Sequence, residues 1–390
     1  MNKDIIPQLS SEITFHPLNK TEYFIHQTTH DHRIKISAEL YNFVQLIDNK
    51  KTLNILVSEF NLKYKSILTP EFANDFLYNK LATFGIIESE EVNVRKSEKP
   101  SYIKLNFIVI NEKIISKFTK YLHHLFYPNT AKIIFALSVI VLSVCFYFLN
   151  HDIFYKSIPN SDWLFFFILS FIGVTFHEFG HASAAHHYGA KHGGIGGGFY
   201  LFMPVYFADV TDIWKLPKHQ RIIVNLAGMY FEIIYSVVLI AIGLIFNKPF
   251  LIILSCIYSI SILHNLNPFA RSDGYWILSD AIEKPNLMLH GFLKIKQIFK
   301  SKKGWSKLDW FLLTYGIISY SFILFFIYFV VIKNPDSILY FPQNLTHFIQ
   351  NLFSVSGKVS LAEFGKLFVP FLFFYLLFNL LKPIFQKIKR

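Results

Sequence analysis

Apolar residues follow three patterns along the chain, and each pattern predicts a different kind of structure. Before about residue 100 they recur in short runs at helix or strand spacing, separated by polar turns. After about residue 130 they form long, nearly unbroken runs, and between the two, residues 112–126 alternate apolar side chains with lysines. These changes predict three parts: residues 1–100, residues 101–130 and residues 131–390.

The first part predicts a small α+β domain. The segment from Glu22 to Ile36 is rich in β-prone residues and predicts one or two strands. Helical patterns follow Ser37 and Thr52, and a third begins at Thr69-Pro70-Glu71, where Thr caps and Pro suits the first helical position. Gly85 ends this third helix, and the short apolar run after it predicts a wing strand. Strands, three helices and a wing together predict a winged-helix domain, followed by a polar linker.

The middle part, residues 101–130, predicts a linker followed by an amphipathic helix. Lys113, Lys117 and Lys120 interrupt the apolar residues between Glu112 and Phe126. Such a helix fits the surface of a membrane, with its apolar side in the acyl region. The alternative is that it forms the last helix of the N-terminal domain, and the pattern leaves both interpretations open.

The third part predicts a polytopic α-helical membrane protein with about six transmembrane helices. Each apolar run is near the ~20 residues that a helix needs to cross ~30 Å of hydrocarbon. The fourth run is short, which predicts a tilted or partly buried helix. The predicted spans are Ala131–Leu149, Trp163–His186, Ile222–Phe246, Phe250–Leu266, Asp309–Ile332 and Phe368–Phe385.

Composition and charge favour a membrane over nucleic acid as the surrounding of this chain. Charged residues make up 16% of the chain, against about 25% in a typical soluble domain. The net charge of +12 comes from basic residues that cluster beside the apolar runs, all on one side of the predicted spans. The positive-inside rule therefore predicts that both termini are cytoplasmic, and no nucleic-acid partner is expected. The two cysteines, Cys145 and Cys256, lie inside apolar runs, which excludes a disulfide framework and a paired thiolate metal site.

The second predicted span contains the clearest chemical motif, His177-Glu178-Phe179-Gly180-His181. Residues four apart on a helix differ by about 40° in direction, so both imidazoles point at one place and can share a zinc ion. Glu178 is offset from that place but close enough to act as a general base. Three ionisable residues so close together are costly inside a membrane and indicate a functional site. The alternative is a pair of interhelical hydrogen bonds from the two histidines beside a neutral Glu178.

A third metal ligand has to come from elsewhere, and Asp273 is the leading candidate. Pro268 breaks the helix of the fourth span and Gly274 lets the backbone turn, which directs a carboxylate back toward the metal. Asp273 could instead cap the helix that follows it. His187 lies six residues after His181, but no glycine ends the helix between them, so it is expected to face away from the metal.

These residues resemble the site-2 protease family of intramembrane zinc metallopeptidases. The resemblance spans roughly residues 130–330 and rests on three segments: HEFGHASAAHHYG (177–189), GGIGGGFYLFMPVYFADVTDIWKLPKHQR (193–221) and NPFARSDGYWILSD (267–280). It implies one catalytic zinc ion held by His177, His181 and Asp273, with Glu178 as the general base.

The middle segment is similar to a membrane-dipping strip with which extended substrates pair in that family. Its glycines would permit close approach of a substrate backbone, and the alternative is a flexible loop. The substrate contacts that the resemblance implies are Gly196, Gly197, Gly198 and Asn267. The third core helix departs from the family, because Gly228-Met229-Tyr230-Phe231-Glu232 replaces Gly-Pro-x-x-Asn. The role of Glu232 is open: it could be protonated, reach the neighbourhood of Arg221, or contact the site.

The N-terminal domain resembles the PqqD-like winged-helix element that recognises leader peptides. The runs ISAELYNFVQLIDNKKTLNILVSEF (36–60) and TPEFANDFLYNKLATFGIIE (69–88) carry this resemblance. It implies that an extended leader peptide adds to the strand edge near Glu22–Ile36. The alternatives are a structural cap and a DNA-reading domain. DNA is disfavoured because the third helix has one basic residue, Lys80, beside Glu71 and Asp75.

The sequence therefore predicts a zinc endopeptidase that cleaves a peptide or membrane-associated protein near the cytoplasmic leaflet, during maturation or export of a ribosomally made peptide. The expected partners are this substrate, the lipid bilayer, a leader peptide and an export complex. The alternatives are regulated intramembrane proteolysis of a signalling protein, a non-proteolytic exporter subunit, and a metal transporter. The intact HExxH motif disfavours the exporter subunit, and the clustering of ionisable residues at one level disfavours the transporter.

Overall fold

The computed structural model describes residues 5–18, 21–30, 32–89, 92–94, 103–149, 159–200, 203–269, 271–299 and 304–353, with single positions between 367 and 377. The chain divides into two compact units, Met1–Ser101 and Tyr102–Arg390.

The first unit places strands before helices. Its elements are β1 (Gln8–Leu9), β2 (Ile13–Pro17), β3 (Glu22–Gln27), β4 (His32–Ser37), α1 (Ala38–Val44), α2 (Leu53–Tyr64), α3 (Pro70–Asn74, continued by a wider turn to Leu81) and β5 (Ile87–Glu88). The strands β2, β3 and β4 form an antiparallel sheet in chain order, and β1 pairs with β5. The predicted strands within Glu22–Ile36 correspond to β3 and β4, while β2 is an addition.

Local chemistry explains where these helices begin and end. The Ser37 hydroxyl accepts the N–H of Leu40, and the Thr69 hydroxyl accepts the N–H of Phe72. Gly85 ends the third helix with a φ of +71°, a conformation that glycine adopts without strain. The amphipathic faces meet in one core, whose fully buried members include Phe43, Leu56, Phe60 and Leu77.

The second unit is mostly helical and contains one small sheet. Its elements are β6 (Ile103–Ile110), α4 (Glu112–Leu122), α5 (Pro128–Tyr147), α6 (Asn160–His187), β7 (Ile195–Tyr200), β8 (Met203–Ala208), α7 (Lys218–Ile245), α8 (Pro249–Asn265), α9 (Asp273–Ala281), α10 (Leu287–Lys296), α11 (Lys307–Tyr328), α12 (Pro335–Leu339) and α13 (Phe341–Phe353). The strands β6, β7 and β8 form an antiparallel sheet in chain order. The strand β6 lies where the sequence predicted a linker.

Among the described residues, four helices are long and apolar enough to cross a membrane: α5, α6, α7 and α11 with its continuation to Lys333. Each corresponds to one of the six predicted spans. The fourth predicted span is α8, which has 17 residues and buries much of its surface against α7. The sixth, Phe368–Phe385, lies largely outside the residues that the structure describes.

The helices α6 and α7 approach closely at the metal motif. A Cβ atom at Gly180 would collide with the main-chain carbonyl of Ala227. Small residues at such a crossing let two membrane helices bring their backbones together. The motif turn of α6 is therefore held directly against α7.

Candidate metal centre

Three side-chain atoms converge where α6, α7 and α9 meet. The Nε2 atoms of His177 and His181 lie 3.0 Å apart. The Oδ2 atom of Asp273 lies 3.2 Å from Nε2 of His177 and 3.6 Å from Nε2 of His181. Tetrahedral zinc with bonds of about 2.0–2.1 Å separates its ligands by about 3.3 Å. The spacing of the three atoms therefore fits one zinc ion, and no comparable group of His, Cys, Asp or Glu occurs elsewhere in the described residues.

The surroundings of these atoms also fit a cation. The buried Oδ2 atom of Asp273 receives no hydrogen bond from any described residue. A Cβ atom at Gly228 would lie 2.5 Å from both imidazole Nε2 atoms, so the glycine leaves the space that the two rings face. Lone pairs that face one another in a buried site repel unless a positive charge lies between them. A divalent ion with nitrogen and oxygen ligands satisfies all three atoms, and zinc prefers this set.

Both imidazoles are oriented by contacts to their other nitrogen. The Nδ1–H of His181 donates to the Val224 carbonyl over 2.7 Å, which leaves the Nε2 lone pair for a metal. The Nδ1 atom of His177 lies 3.3 Å from Oε1 of Glu232, at ion-pair distance though not aligned as a hydrogen bond. Glu232 is only 3% exposed. Of the roles that the sequence left open for this residue, the structure shows contact with the site.

Glu178 lies beside the three converging atoms and faces the sheet. Its carboxylate is buried, and Oε2 accepts the main-chain N–H of Ala208 over 2.7 Å. This contact ties the predicted base to the last residue of β8. A carboxylate fixed at this place can exchange a proton with a water molecule between itself and the metal ligands.

The loop between α8 and α9 brings Asp273 to the site. The Asn267 side chain accepts the N–H of Phe269, and the Ser272 hydroxyl donates to the Asn267 carbonyl. The Tyr315 hydroxyl of α11 donates to the Pro268 carbonyl over 2.8 Å and anchors the loop from outside. The Asn267 side chain therefore shapes this turn, and a direct substrate contact from it stays a prediction.

Asp273 is the first residue of α9, and Ser272 occupies the capping position before it. The carboxylate of Asp273 is directed at the imidazoles of His177 and His181. Burial would raise the pKa of Asp273, but the imidazoles of His181 and His177 outweigh it and hold this pKa below the ordinary value. An aspartate is ordinarily ionised at neutral pH, which is the form that metal binding requires.

A buried ion pair fixes α9 against α7. Asp280 lies two turns after Asp273 on the same face of α9. Its carboxylate accepts Nε–H of Arg221 over 2.7 Å and the amide of Asn225 over 3.0 Å. Arg221 is 2% exposed and also donates to the Leu216 carbonyl. Sequence reasoning did not pair these residues, although a single arginine entering an apolar span was a usable signal.

The glycine strip takes a position that the sequence did not predict. Gly196 and Gly197 lie in β7, the middle strand, opposite Ile108 and Phe107 of β6 on one side and opposite residues of β8 on the other. Their main-chain groups are thus committed to neighbouring strands, because β6 supplies a partner that sequence reasoning treated as a linker. Gly198 lies opposite Val205 in the same ladder. The structure thus gives these glycines strand partners on both sides, and their contact with a substrate stays a prediction.

The competing histidine is remote from the three converging atoms. His187 packs its ring against His123, Phe126 and Tyr127 at the end of α6. Six residues of uninterrupted helix turn it away from His181, as predicted.

Comparison with known proteins gives two distant relatives with related names. Over 119 residues, 28% are identical to "Putative peptide zinc metalloprotease protein YydH" of Bacillus subtilis, covering 30% of this chain and 47% of that protein. Over 206 residues, 29% are identical to "Zinc metalloprotease MJ0392" of Methanocaldococcus jannaschii, covering 50% of this chain and 53% of that protein. The chain thus spans about half the length of the curated relatives it matches. No family model matches the chain, and no solved structure matches it significantly.

Proposed function

We propose that the chain is a zinc endopeptidase of the site-2 protease type, which hydrolyses a peptide bond inside the membrane. The observation that carries this proposal is the convergence of His177, His181 and Asp273 beside the carboxylate of Glu178. The names of the two relatives support the same chemistry.

Each residue of the site would have a separate role in peptide hydrolysis. Zinc, when bound, would polarise the scissile carbonyl and lower the pKa of water toward about 7. Glu178 would take a proton from the attacking water and pass it to the leaving amine. The Ala208 N–H keeps that carboxylate directed at the site during both transfers. His181 and His177 are held in place by Val224 and Glu232 and need no rearrangement.

The depth of the site favours cleavage within the bilayer. His181 and His177 lie six and ten residues before the end of α6. At 1.5 Å per residue these positions are about 9 Å and about 15 Å from that end. The basic residues near the same end favour the cytoplasmic leaflet, with both termini in the cytoplasm.

The outer edge of β8 is the place for an extended substrate. The Ala208 N–H points away from β7, toward Glu178, so strand alternation directs the main-chain groups of Tyr206 to the same outer edge. None of the described strands pairs there. A peptide added along this edge would lie directly beside the base.

We infer from the resemblance of residues 36–60 and 69–88 that the first unit recognises a peptide leader. Its three-stranded sheet has β3 in the middle, so an added peptide would pair along an outer edge, and β4 is the edge strand within the segment Glu22–Ile36 that the sequence indicated. We therefore place leader binding at His32–Ser37, and we place the enzyme in maturation or export of a ribosomally made peptide.

Replacement of Glu178 by Gln tests the proposal directly. We expect the purified variant to keep its zinc content and to lose cleavage of a self-quenched peptide library presented in bilayers. Cleavage at the wild-type rate by the zinc-loaded variant would rule out the assigned base.

A further inference from the structure

The helix α4 has one face that is fully committed to the protein. Ile115 and Thr119 are completely buried. Ile115 packs with Ala182 of α6, and the Thr119 hydroxyl lies 2.7 Å from Nδ1 of His186. These contacts fix how α4 is rotated about its own axis, and therefore what its other faces present.

A second face of α4 is apolar and exposed. Ile114, Phe118 and Tyr121 lie three and four residues apart, so they share one side of the helix. Their exposed fractions are 48%, 56% and 71%. We call these three residues the α4 stripe. A contiguous stripe of this size on a helix marks a surface that another phase or molecule covers.

Lysines border the α4 stripe on the side away from the buried face. Lys113, Lys117 and Lys120 are exposed, and each precedes a residue of the stripe by one position. None of the three forms an ion pair with another described residue, and the Lys120 ammonium lies 5.6 Å from the centre of the Tyr121 ring. The border therefore offers three positive charges to an external partner.

The position of α4 in the chain indicates that this external partner is a membrane. Only five residues separate α4 from α5, one of the four helices suited to cross a membrane. The contacts of α4 on α6 fall at residues 179–186, within the last two and a half turns of another such helix. Ile133 and Leu137, in the first half of α5, are also apolar and exposed, as expected of a helix that faces lipid.

We infer that α4 is an in-plane anchor for an anionic leaflet, with the α4 stripe among the acyl chains and its lysines on lipid phosphates. The bound surface would lie close to the metal motif, because the Phe118 ring contacts the ring of Phe179, the neighbour of Glu178. This inference depends on the membrane helices and is independent of the proposed peptidase activity.

Nitroxide labels on the full chain test this inference in vesicles. With Cys145 and Cys256 changed to Ser, single labels are placed by Phe118→Cys, by Leu137→Cys as a lipid reference and by Lys50→Cys as a water reference. Vesicles contain phosphatidylcholine alone or with about 30% phosphatidylglycerol. We expect the label at 118 to collide with oxygen more than with a nickel chelate in anionic vesicles, as at 137, and to become more nickel-accessible in neutral vesicles.

Charge variants separate headgroup binding from burial alone. Changing Lys113, Lys117 and Lys120 to Gln should weaken the binding of α4 to the surface of anionic vesicles by about fivefold per lysine. Changing Lys50, Lys63 and Lys65 to Gln removes the same charge from the first unit and should leave the label at 118 unaffected.

Four results would overturn the inference. A label at 118 as nickel-accessible as the label at 50 would place the stripe in water. Protection from both reagents would show that protein covers it. Equal depth in both kinds of vesicle, or no effect of the three glutamines, would remove the role of anionic headgroups.

Discussion

The Oε1 atom of Glu232 lies 3.3 Å from Nδ1 of His177, on the side of the imidazole opposite Asp273. The imidazole of His177 therefore lies between the carboxylate of Glu232 and the proposed metal position. A carboxylate behind a metal-binding histidine fixes the orientation of its ring and raises its basicity. Glu232 is therefore placed to hold the ring of His177 and to raise its basicity.

Replacement of Glu232 by Gln should weaken zinc binding while leaving the three ligands in place. Loss of the charge behind His177 is expected to lower zinc affinity by about tenfold. This is the smallest effect typical of removing a group that orients a metal ligand. Competition with a chromogenic chelator measures this change. Glu112→Gln, an exposed acid on α4, is the matched control, and equal affinities of both variants would refute the role of Glu232.

Replacement of Gly228 by Ala should abolish zinc binding without unfolding α7. The new methyl group would lie 2.5 Å from both Nε2 atoms, in the space that the imidazoles face. Alanine is the better helix former by about 1 kcal/mol, so loss of metal would not follow from loss of the helix. Zinc content and circular dichroism separate the two effects. Gly243→Ala in the same helix should keep its full zinc content, because its new methyl group would lie 3.1 Å or more from the nearest side-chain atoms and main-chain carbonyl.

The pair formed by Arg221 and Asp280 should behave as one unit in stability measurements. Asp280→Asn leaves a buried guanidinium without its counter-charge, which costs on the order of 3–5 kcal/mol. Replacing Arg221 by Met and Asp280 by Leu together removes both charges and should recover much of that loss. Thermal unfolding of the wild type, Arg221→Met, Asp280→Leu and the double variant forms the cycle, and simple additivity of the single changes would contradict the coupling.

Replacement of Ala208 by Pro should lower the rate of cleavage while zinc is retained. Proline removes the N–H that Glu178 accepts, and a hydrogen bond to a charged group corresponds to roughly ten- to hundredfold in rate. An outward-facing N–H on an edge strand tolerates proline, so β8 should remain folded. Ala208→Gly keeps the donor and should keep most of the rate. Equal rates for the two variants would count against a positioning role for this N–H.

The parts of the site that the sequence predicted are those set by local geometry. His177 and His181 are one turn apart on a single helix, so their convergence needed no knowledge of the fold. Asp273 follows a proline and precedes a glycine, which indicated a turn. Contacts between distant segments were not legible: Ile108 pairs with Gly196 across 88 residues of chain, and Arg221 meets Asp280 across 59.

Glu232 shows why such contacts escape a reading of the sequence. Its approach to His177 depends on how closely α6 and α7 pack at Gly180, which no periodicity along α7 encodes. The acid was visible as a lone charge in an apolar run, and its partner was not. The partner of β6 was hidden in the same way, because its pairing with β7 joins segments far apart in the chain, although the run IKLNFIVI is itself rich in β-prone residues.

X-ray absorption at the zinc edge of the purified full chain addresses the ligand set most directly. One zinc ion per chain is expected, with two imidazole nitrogens at about 2.0–2.1 Å, a carboxylate oxygen at about 2.0–2.2 Å and no sulfur. The imidazole scattering should disappear in His177→Ala/His181→Ala, and zinc content should fall in Asp273→Ala. Full zinc content in these variants, or a sulfur-ligated spectrum in the wild type, would contradict a centre built from His177, His181 and Asp273.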